Sequence, residues 1–299
     1  MFRKIVNIIE LFIIILVIFA CYYYSNNTSN EQFRKASKEV VNIDSNDFVI
    51  YFLDVGQADC IIIKSNNDYM LIDSGGYETS NYVIDYIRKL NINSFKYVIA
   101  THAHEDHIGG MSKIIYNFSI DKFFMPEVGS NYKSYYNLVN ALLNKKVDVS
   151  TPETDYNYYL GDSIFQVLFV GTDKEELNNT SIVLKLKYKE TTYLFMGDAT
   201  NEVERQILDK DLKSDVLKVG HHGASTSSSA VFLSKVKPLY AIISVGKNNE
   251  FNHPKKVTID KLERLNSTIY RTDIDGTIIL KSNGKDIYFE TEKTYTNGG

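Results

Sequence analysis

The residue types best suited to chemistry lie in one short run, Thr101–Gly110, which reads THAHEDHIGG. Four of its side chains offer metal-ligand atoms: His102, His104, Asp106 and His107. Imidazole nitrogens and carboxylate oxygens suit zinc, manganese or iron. Side chains this close on a turn can diverge, so the run can serve two neighbouring metal ions. Gly109 and Gly110 then permit a tight backbone path into the next helix.

Apolar strands are needed to present these side chains. Tyr97–Ala100 predicts a buried strand that ends at the histidine run, and Met111–Asn117 predicts the helix that follows it. Val216–Val219 predicts a second buried strand, which leads into His221 and His222. A surface histidine cluster without metal is the alternative, but the place of the run directly after a buried strand favours a metal site.

Runs of predicted strands with helices between them occur in both halves of the chain. This order fits a layered fold with sheets inside and helices outside. The remaining predicted helices are Ser80–Leu90, Tyr132–Asn144, Glu202–Leu208, Ser229–Val236 and Val257–Leu265. Periodicity alone does not distinguish between folds of this kind.

Composition places the chain among ordinary globular proteins. Of 299 residues, 44% are hydrophobic and 23% are charged, and the formal net charge is -4. The charge lacks the basic excess of a protein that lives on nucleic acid. It does not exclude a nucleic-acid substrate, because bound metal cations add local positive charge. The two cysteines cannot form a disulfide framework.

The N-terminus carries a membrane signal. Arg3 and Lys4 precede the uncharged apolar stretch Leu11–Ala20. One interpretation is an uncleaved anchor helix over residues 1–24; the other is a lipoprotein signal peptide with Cys21 as the lipidated residue. A buried helix of the soluble domain is a third alternative. Because positive charge stays in the cytoplasm, the rest of the chain should lie outside the cell.

The stretch that follows predicts the domain organisation. Residues 25–47 are polar and predict a linker, and one folded domain is predicted over residues 48–299. The protein is therefore expected in the cell membrane, with its folded domain extracellular and the membrane as its partner. No protein partner is predicted.

The histidine run resembles the H-x-H-x-D-H motif of the metallo-β-lactamase superfamily. The resemblance implies a four-layer αββα sandwich, here preceded by one N-terminal membrane helix. It also implies two divalent metal ions, Zn or Mn. His102 and His104 would bind one ion, and Asp106 and His107 the other. The segments around Asp198 and His221 look like those that supply a bridging carboxylate and the last histidine. The implied metal ligands are therefore His102, His104, Asp106, His107, Asp198 and His221.

A closer resemblance is to the extracellular hydrolase domain of the competence DNA-uptake protein ComEC and its free-standing relatives. Leu53–Asp59 resembles their opening L-D-V-G-Q-G-D, and Lys218–Ser225 resembles K-V-x-H-H-G-S with Ala224 inserted. One departure concerns the fifth ligand of many superfamily members, a histidine between the first loop and Asp198. Asn179 or Ser181 occupies that region, so the first metal would have fewer protein ligands.

Further roles follow for residues near these motifs. The predicted catalytic residues are Asp106, Asp198, His222 and His253. The predicted substrate-binding residues are Asn179, Ser181, His222 and Ser225. His222 and His253 have structural alternatives as loop and turn residues. Ser225 opens a serine-rich tract that either holds an anion or caps a helix.

The resemblance implies a hydrolase in which two metals hold the attacking hydroxide. A phosphodiesterase or nuclease at the cell surface is the favoured function, with nucleic acid or a cell-wall phosphodiester as substrate. The enzymatic alternative is another ester or amide, such as a lactone, a phosphocholine ester or a β-lactam. A metal-stabilised surface binding domain without turnover is the alternative from a different class.

Overall fold

A computed structural model describes residues 48–293 of the chain. The predicted membrane segment, residues 1–24, and the linker, residues 25–47, lie outside the described residues. Among the residues that are described, no helix combines the length and apolar character needed to cross a bilayer.

The described residues form fifteen strands and eight α-helices. The strands β1–β15 are Phe48–Phe52, Ile61–Ser65, Asp68–Ile72, Ser94–Ile99, Ser119–Phe124, Val149–Ser150, Asn157–Leu160, Ser163–Phe169, Val183–Tyr188, Thr191–Phe195, Val216–Lys218, Tyr240–Ile243, Thr268–Arg271, Ile278–Ser282 and Ile287–Thr291. The helices α1–α8 are Ser80–Lys89, Glu105–Ile108, Met111–Asn117, Lys133–Lys145, Asn201–Gln206, Ala230–Val236, Lys256–Arg264 and Thr272–Asp275. Short 3-10 turns lie at Tyr77–Thr79, Leu177–Thr180 and Gly220–Gly223.

The strands form two sheets. The first has the order β15-β14-β1-β2-β3-β4-β5-β6, and the second has the order β13-β12-β11-β10-β9-β8-β7. In the first sheet, β3 pairs with β4 and β4 with β5 in parallel. In the second sheet, β10 through β13 are parallel neighbours. The carboxyl ends of parallel strands lie along one edge of a sheet, where open α/β sheets bind ligands.

Three apolar cores define the layering of the sheets and helices. The middle core contains alternate residues of both sheets, such as Ile61 and Ile63 of β2 and Leu184 and Leu186 of β9. Ile62 points the other way, into a core shared with α1, α3 and α4. The outer core of the second sheet is shared with α5, α6 and α7. The described residues therefore form a mixed α/β fold in which two sheets pack face to face between helices, as the sequence predicted.

Candidate metal centre

The predicted ligands come together in the loops that follow parallel strands. His102 follows β4 of the first sheet, whereas Asp198 and His222 follow β10 and β11 of the second. The two loop edges enclose a cavity of about 300 Å³. Its lining residues are Gln57, His104, Glu105, Asp106, Tyr132, Asp198, His221, His222, Phe251 and His253.

Four side chains form a group with the spacing of a metal site. Each offers one ligand atom, and these atoms lie within 4.8 Å of one another: Asp106, His107, Asp198 and His222. His107 Nε2 lies 3.3 Å from Asp198 Oδ2 and 3.7 Å from Asp106 Oδ2. His222 Nε2 lies 3.2 Å from Asp106 Oδ2 and 3.5 Å from Asp198 Oδ2. Two imidazoles and two carboxylates therefore converge on one volume.

A second pair of imidazoles lies beside this group. His102 Nε2 and His104 Nδ1 face each other at 2.9 Å. The ring of His102 is also close to that of His107, with 4.1 Å between the ring centroids. The structure thus brings the four candidate ligands of the histidine run to one place.

The His107 ring is oriented by Asp73, a fully buried residue. His107 Nδ1 lies 2.8 Å from Asp73 Oδ2, and Asp73 also accepts hydrogen bonds from the backbone nitrogen and the hydroxyl of Thr101. With its proton on Nδ1, His107 presents Nε2 to the ligand group, as metal-binding histidines do when a carboxylate holds the other nitrogen.

Two ligand atoms of the group are buried without a hydrogen-bond partner. They are His107 Nε2 and Asp198 Oδ1. Buried polar atoms are almost always paired, so these two call for a ligand or an ion. A divalent cation fits both, because one is an imidazole lone pair and the other a carboxylate oxygen. The residues present therefore fit a metal centre.

Electrostatic effects keep the carboxylates of the cluster ionised and its imidazoles protonated in the absence of a metal ion. Burial alone would raise the pKa of Asp198, but His222 and His107 hold it well below its usual range. Burial would lower the pKa of His107, but Asp198, Asp73 and Asp106 raise it well above its usual range. For His222 the carboxylates again outweigh burial and raise the pKa to about 8. A metal ion has to displace these histidine protons, so binding should release protons.

The histidine pair after β11 adopts an unusual backbone conformation. His221 and His222 have φ values of 50° and 52°, in the left-handed region that L-residues rarely occupy. His222 is buried within the ligand group, whereas His221 Nε2 lies 3.8 Å from Asp198 Oδ2 and its side chain is 25% exposed. The sequence favoured His221 as the ligand and His222 as the substrate contact. The observed positions give His222 the tighter ligand spacing and place His221 on the cavity wall.

His253 lies at the same cavity. Its ring centroid is 5.7 Å from that of His221. Burial, together with His221 and His222, lowers the pKa of His253 to about 4. His253 is therefore neutral near pH 7, which suits a hydrogen-bonding role better than that of a proton donor.

The predicted substrate-binding residues other than His222 do not line the cavity. Asn179 is buried, and its amide group binds Asp173, Glu202 and Thr200. The Ser181 hydroxyl accepts a hydrogen bond from the backbone nitrogen of Asp198 at 3.1 Å, so it supports a ligand. Ser225 is exposed beside the loop. Their contact with substrate stays a prediction.

Other cavity residues were not singled out from the sequence. Tyr132 and Phe251 are 47% and 53% exposed and line the cavity beside His104 and His253. Gln57 also lines it, and its side-chain oxygen accepts a hydrogen bond from Gly246. Phe251 could have been recognised from the sequence, because it is an aromatic residue two positions before His253. Nothing local marked Tyr132 among the many tyrosines.

The protein has two sheets packed between helices, with histidines and aspartates at the strand ends. These features place it in the class of metal-dependent hydrolase folds. The sequence profile of the Metallo-beta-lactamase superfamily matches residues 53–247. The chain belongs to that superfamily.

Curated relatives include competence proteins. The chain is 27% identical over 255 residues to ComE operon protein 3 of Bacillus subtilis, covering 78% of this chain and 33% of that protein. It is 29% identical over 256 residues to Recombination protein 2 of Haemophilus influenzae, covering 82% and 29%. The chain thus spans about a third of the length of these relatives. The matches support a hydrolase domain of the ComEC type, as the motifs predicted.

A solved structure shows the same fold. The metallo-beta-lactamase fold protein YhfI from Bacillus subtilis superposes with a TM-score of 0.51 at 10% sequence identity, covering 82% of this chain and 100% of that chain. At this identity the likeness concerns the fold alone.

Proposed function

We propose that this protein is a metal-dependent phosphodiesterase of the nuclease type that acts at the cell surface. The observation that carries the proposal is the convergence of Asp106, His107, Asp198 and His222 within 4.8 Å, at a cavity that also holds His104. The His102–His104 pair beside that group supports a second metal position.

The residues divide into two ligand sets. His102 and His104 would hold one ion, and Asp106 and His107 the other. Asp198 would bridge the two, with His222 or His221 completing the second set. Bound Zn or Mn supplies Lewis acidity, which makes water a nucleophile near neutral pH and offsets charge on a phosphoryl group.

The surrounding residues hold this arrangement in place. Asp73 fixes the His107 ring, and Ser181 fixes the backbone of Asp198. His253 reaches the cavity as a neutral imidazole and is suited to bind a non-bridging phosphate oxygen or the leaving group through a hydrogen bond. Gly109 permits the compact histidine loop, because a Cβ there would lie 2.5 Å from the Tyr77 nitrogen.

Two features favour a nucleotide-bearing phosphodiester. Tyr132 and Phe251 offer exposed rings at the cavity, and aromatic rings are the usual platform for unpaired bases. The likeness to competence proteins points to the same substrate class. Lactones, phosphocholine esters and β-lactams are the alternative substrates, and each should be assayed beside the phosphodiesters.

The location at the cell surface rests on residues 1–24. Arg3 and Lys4 before the apolar stretch favour export of the domain. Protease added to intact cells should remove the domain, and a domain that stays protected until lysis would contradict the proposal. Cys21→Ala should block processing only if Cys21 is lipidated.

Activity assays on the full-length protein test the function. Protein stripped by chelation should gain hydrolysis of bis(p-nitrophenyl) phosphate and of single-stranded oligonucleotides when Zn²⁺ or Mn²⁺ is returned. Asp198→Asn should remain inactive, whereas Asp209→Asn, a change at an exposed carboxylate, should behave as wild type. Turnover of a lactone or β-lactam, with none of any phosphodiester, would contradict the assignment.

A further inference from the structure

A buried lysine lies behind the candidate metal centre. Within residues 48–293, Lys218 is the only lysine or arginine that is fully buried. Its Nζ lies 2.7 Å from Asp59 Oδ2, and the two side chains are 1% and 2% exposed. Lys218 Nζ also donates to the Val219 carbonyl at 3.1 Å. Neither residue belongs to a ligand set above.

This ion pair joins segments that carry the metal ligands. Lys218 ends β11 of the second sheet, and Asp59 lies in the loop between β1 and β2 of the first. The Asp59 backbone nitrogen donates to the carbonyl of Asp106 at 3.3 Å, and the Asp59 carbonyl accepts from Gly75 at 2.8 Å. The pair therefore connects the second sheet to α2, the short helix that carries Asp106.

The Asp59 carboxylate also faces a ligand-group histidine. Asp59 Oδ1 lies 3.6 Å from His222 Nδ1 and has no hydrogen-bond partner of its own. His222 Nδ1 donates to the Ser244 carbonyl at 2.9 Å. Negative charge on this side of the ring favours a proton on Nδ1 and leaves Nε2 free to face Asp106 and Asp198.

Stability alone does not explain a buried ion pair. Desolvation of two charges offsets most of their attraction, and well-packed neutral side chains of similar volume often stabilise a fold as well. Removal of one partner is far more damaging, because it leaves a buried charge without compensation. Variants that remove both charges therefore separate the structural role of the pair from its role at the site.

We propose that Lys218 and Asp59 are positioning residues for the metal centre. The ion pair holds α2, which carries Asp106, against the second sheet, and it fixes the His222 ring with Nε2 directed into the ligand group. This inference rests on one part of the proposed function, namely that the ligand group binds metal. It assigns to the two residues no contact with substrate.

The experiment compares full-length Asp59→Asn, Lys218→Met and the double variant by urea unfolding and by Co²⁺ binding in competition with a chelator. The single variants should be less stable than wild type, and the double variant should recover most of that loss. The double variant should nevertheless bind Co²⁺ about 10–100-fold more weakly, the usual effect of losing a partner behind a ligand. Its Co²⁺ absorption spectrum should also change.

The matched control is Ser65→Ala with Ser163→Ala. These hydroxyls form a buried contact of 2.8 Å between the two sheets, away from the ligand loops. This control should leave Co²⁺ affinity and spectrum unchanged. A double variant that folds normally and binds Co²⁺ like wild type overturns the proposal.

The Asp59→Asn variant, which keeps the size of the side chain, decides the case if the double variant fails to fold. Nitrogen-15 NMR of the Zn²⁺-loaded wild type should show His222 protonated on Nδ1, and the His222 signals should shift in Asp59→Asn. Unchanged His222 signals and unchanged Co²⁺ affinity in folded Asp59→Asn would overturn the proposal. Wild-type protein that binds neither Co²⁺ nor Zn²⁺ would refute the proposed function itself, and the positioning role with it.

Discussion

Asp73 Oδ2 lies 2.8 Å from His107 Nδ1, and both side chains are fully buried. The same carboxylate accepts two hydrogen bonds from Thr101, at the end of β4. The His107 ring is therefore fixed before any ligand arrives, and its other nitrogen faces Asp198.

Asp73→Asn should weaken metal binding by about 10–100-fold. Both oxygens of Asp73 accept hydrogen bonds from Thr101 and His107, whereas an amide has only one oxygen that can accept them. Chelator competition measures the loss. Asp68→Asn is the control: Asp68 begins β3, the strand that Asp73 directly follows, and it pairs with Lys96 at a partly exposed site. Equal metal affinities in the two variants would show that Asp73 does not orient His107.

Asp106→Ala and Asp198→Ala should each abolish hydrolysis while circular dichroism shows a retained fold. Both side chains belong to the ligand group, and no side chain is needed as a covalent nucleophile in this account. Steady-state rates on a phosphodiester measure the effect. Full activity in Asp198→Ala would refute the bridging role.

Protein stripped of metal should lose stability in acid partly through His253. Its folded pKa of about 4 lies below the unfolded value of about 6.5, so the unfolded chain binds the proton first as pH falls. Stability tied to His253 is thus lost between about pH 6.5 and pH 4. Urea midpoints should fall less over this range in His253→Gln, and identical slopes would contradict the prediction.

His222 should show the opposite sign in the same stripped protein. Its folded pKa of about 8 lies above the unfolded value, so its contribution is present below about pH 6.5 and is lost as pH rises through 8. As the pH rises above about 8, the urea midpoint of His222→Gln should approach that of wild type. A gap that widens above pH 8 would contradict this sign.

Tyr132→Ala and Phe251→Ala should raise KM for single-stranded oligonucleotides by roughly 5- to 150-fold, since loss of a base–aromatic stack costs about 1–3 kcal/mol. Hydrolysis of a small alkyl phosphodiester should change little. Tyr159→Ala, at an exposed tyrosine outside the cavity lining, serves as control. A uniform loss on both substrates would contradict base stacking.

The sequence predicted much of the fold because most elements carry their own periodicity. Met111–Asn117 was predicted with the bounds of α3, and Ser80–Leu90 differs from α1 by one residue. Three short strands, β6, β7 and β13, were missed. They have two to four residues and little buried apolar surface, so their pairing depends on neighbours distant in sequence.

Part of the candidate site could likewise be predicted from the sequence, and part could not. The ligand types were readable because they stand together in motifs after apolar strands. The Lys218–Asp59 pair joins residues 159 positions apart across two sheets, and no local pattern shows such a contact. The orientations of His221 and His222 at the cavity depend on their positive φ values, which their residue types do not reveal.

Metal content tests the central claim most directly. The full-length protein, reconstituted with Zn²⁺ or Mn²⁺ and freed of excess ion, should carry close to two ions per chain by elemental analysis. The number should fall when Asp106 and Asp198 are both changed to Ala, because these carboxylates belong to the ligand group. Wild-type protein that holds no metal after reconstitution would contradict the account.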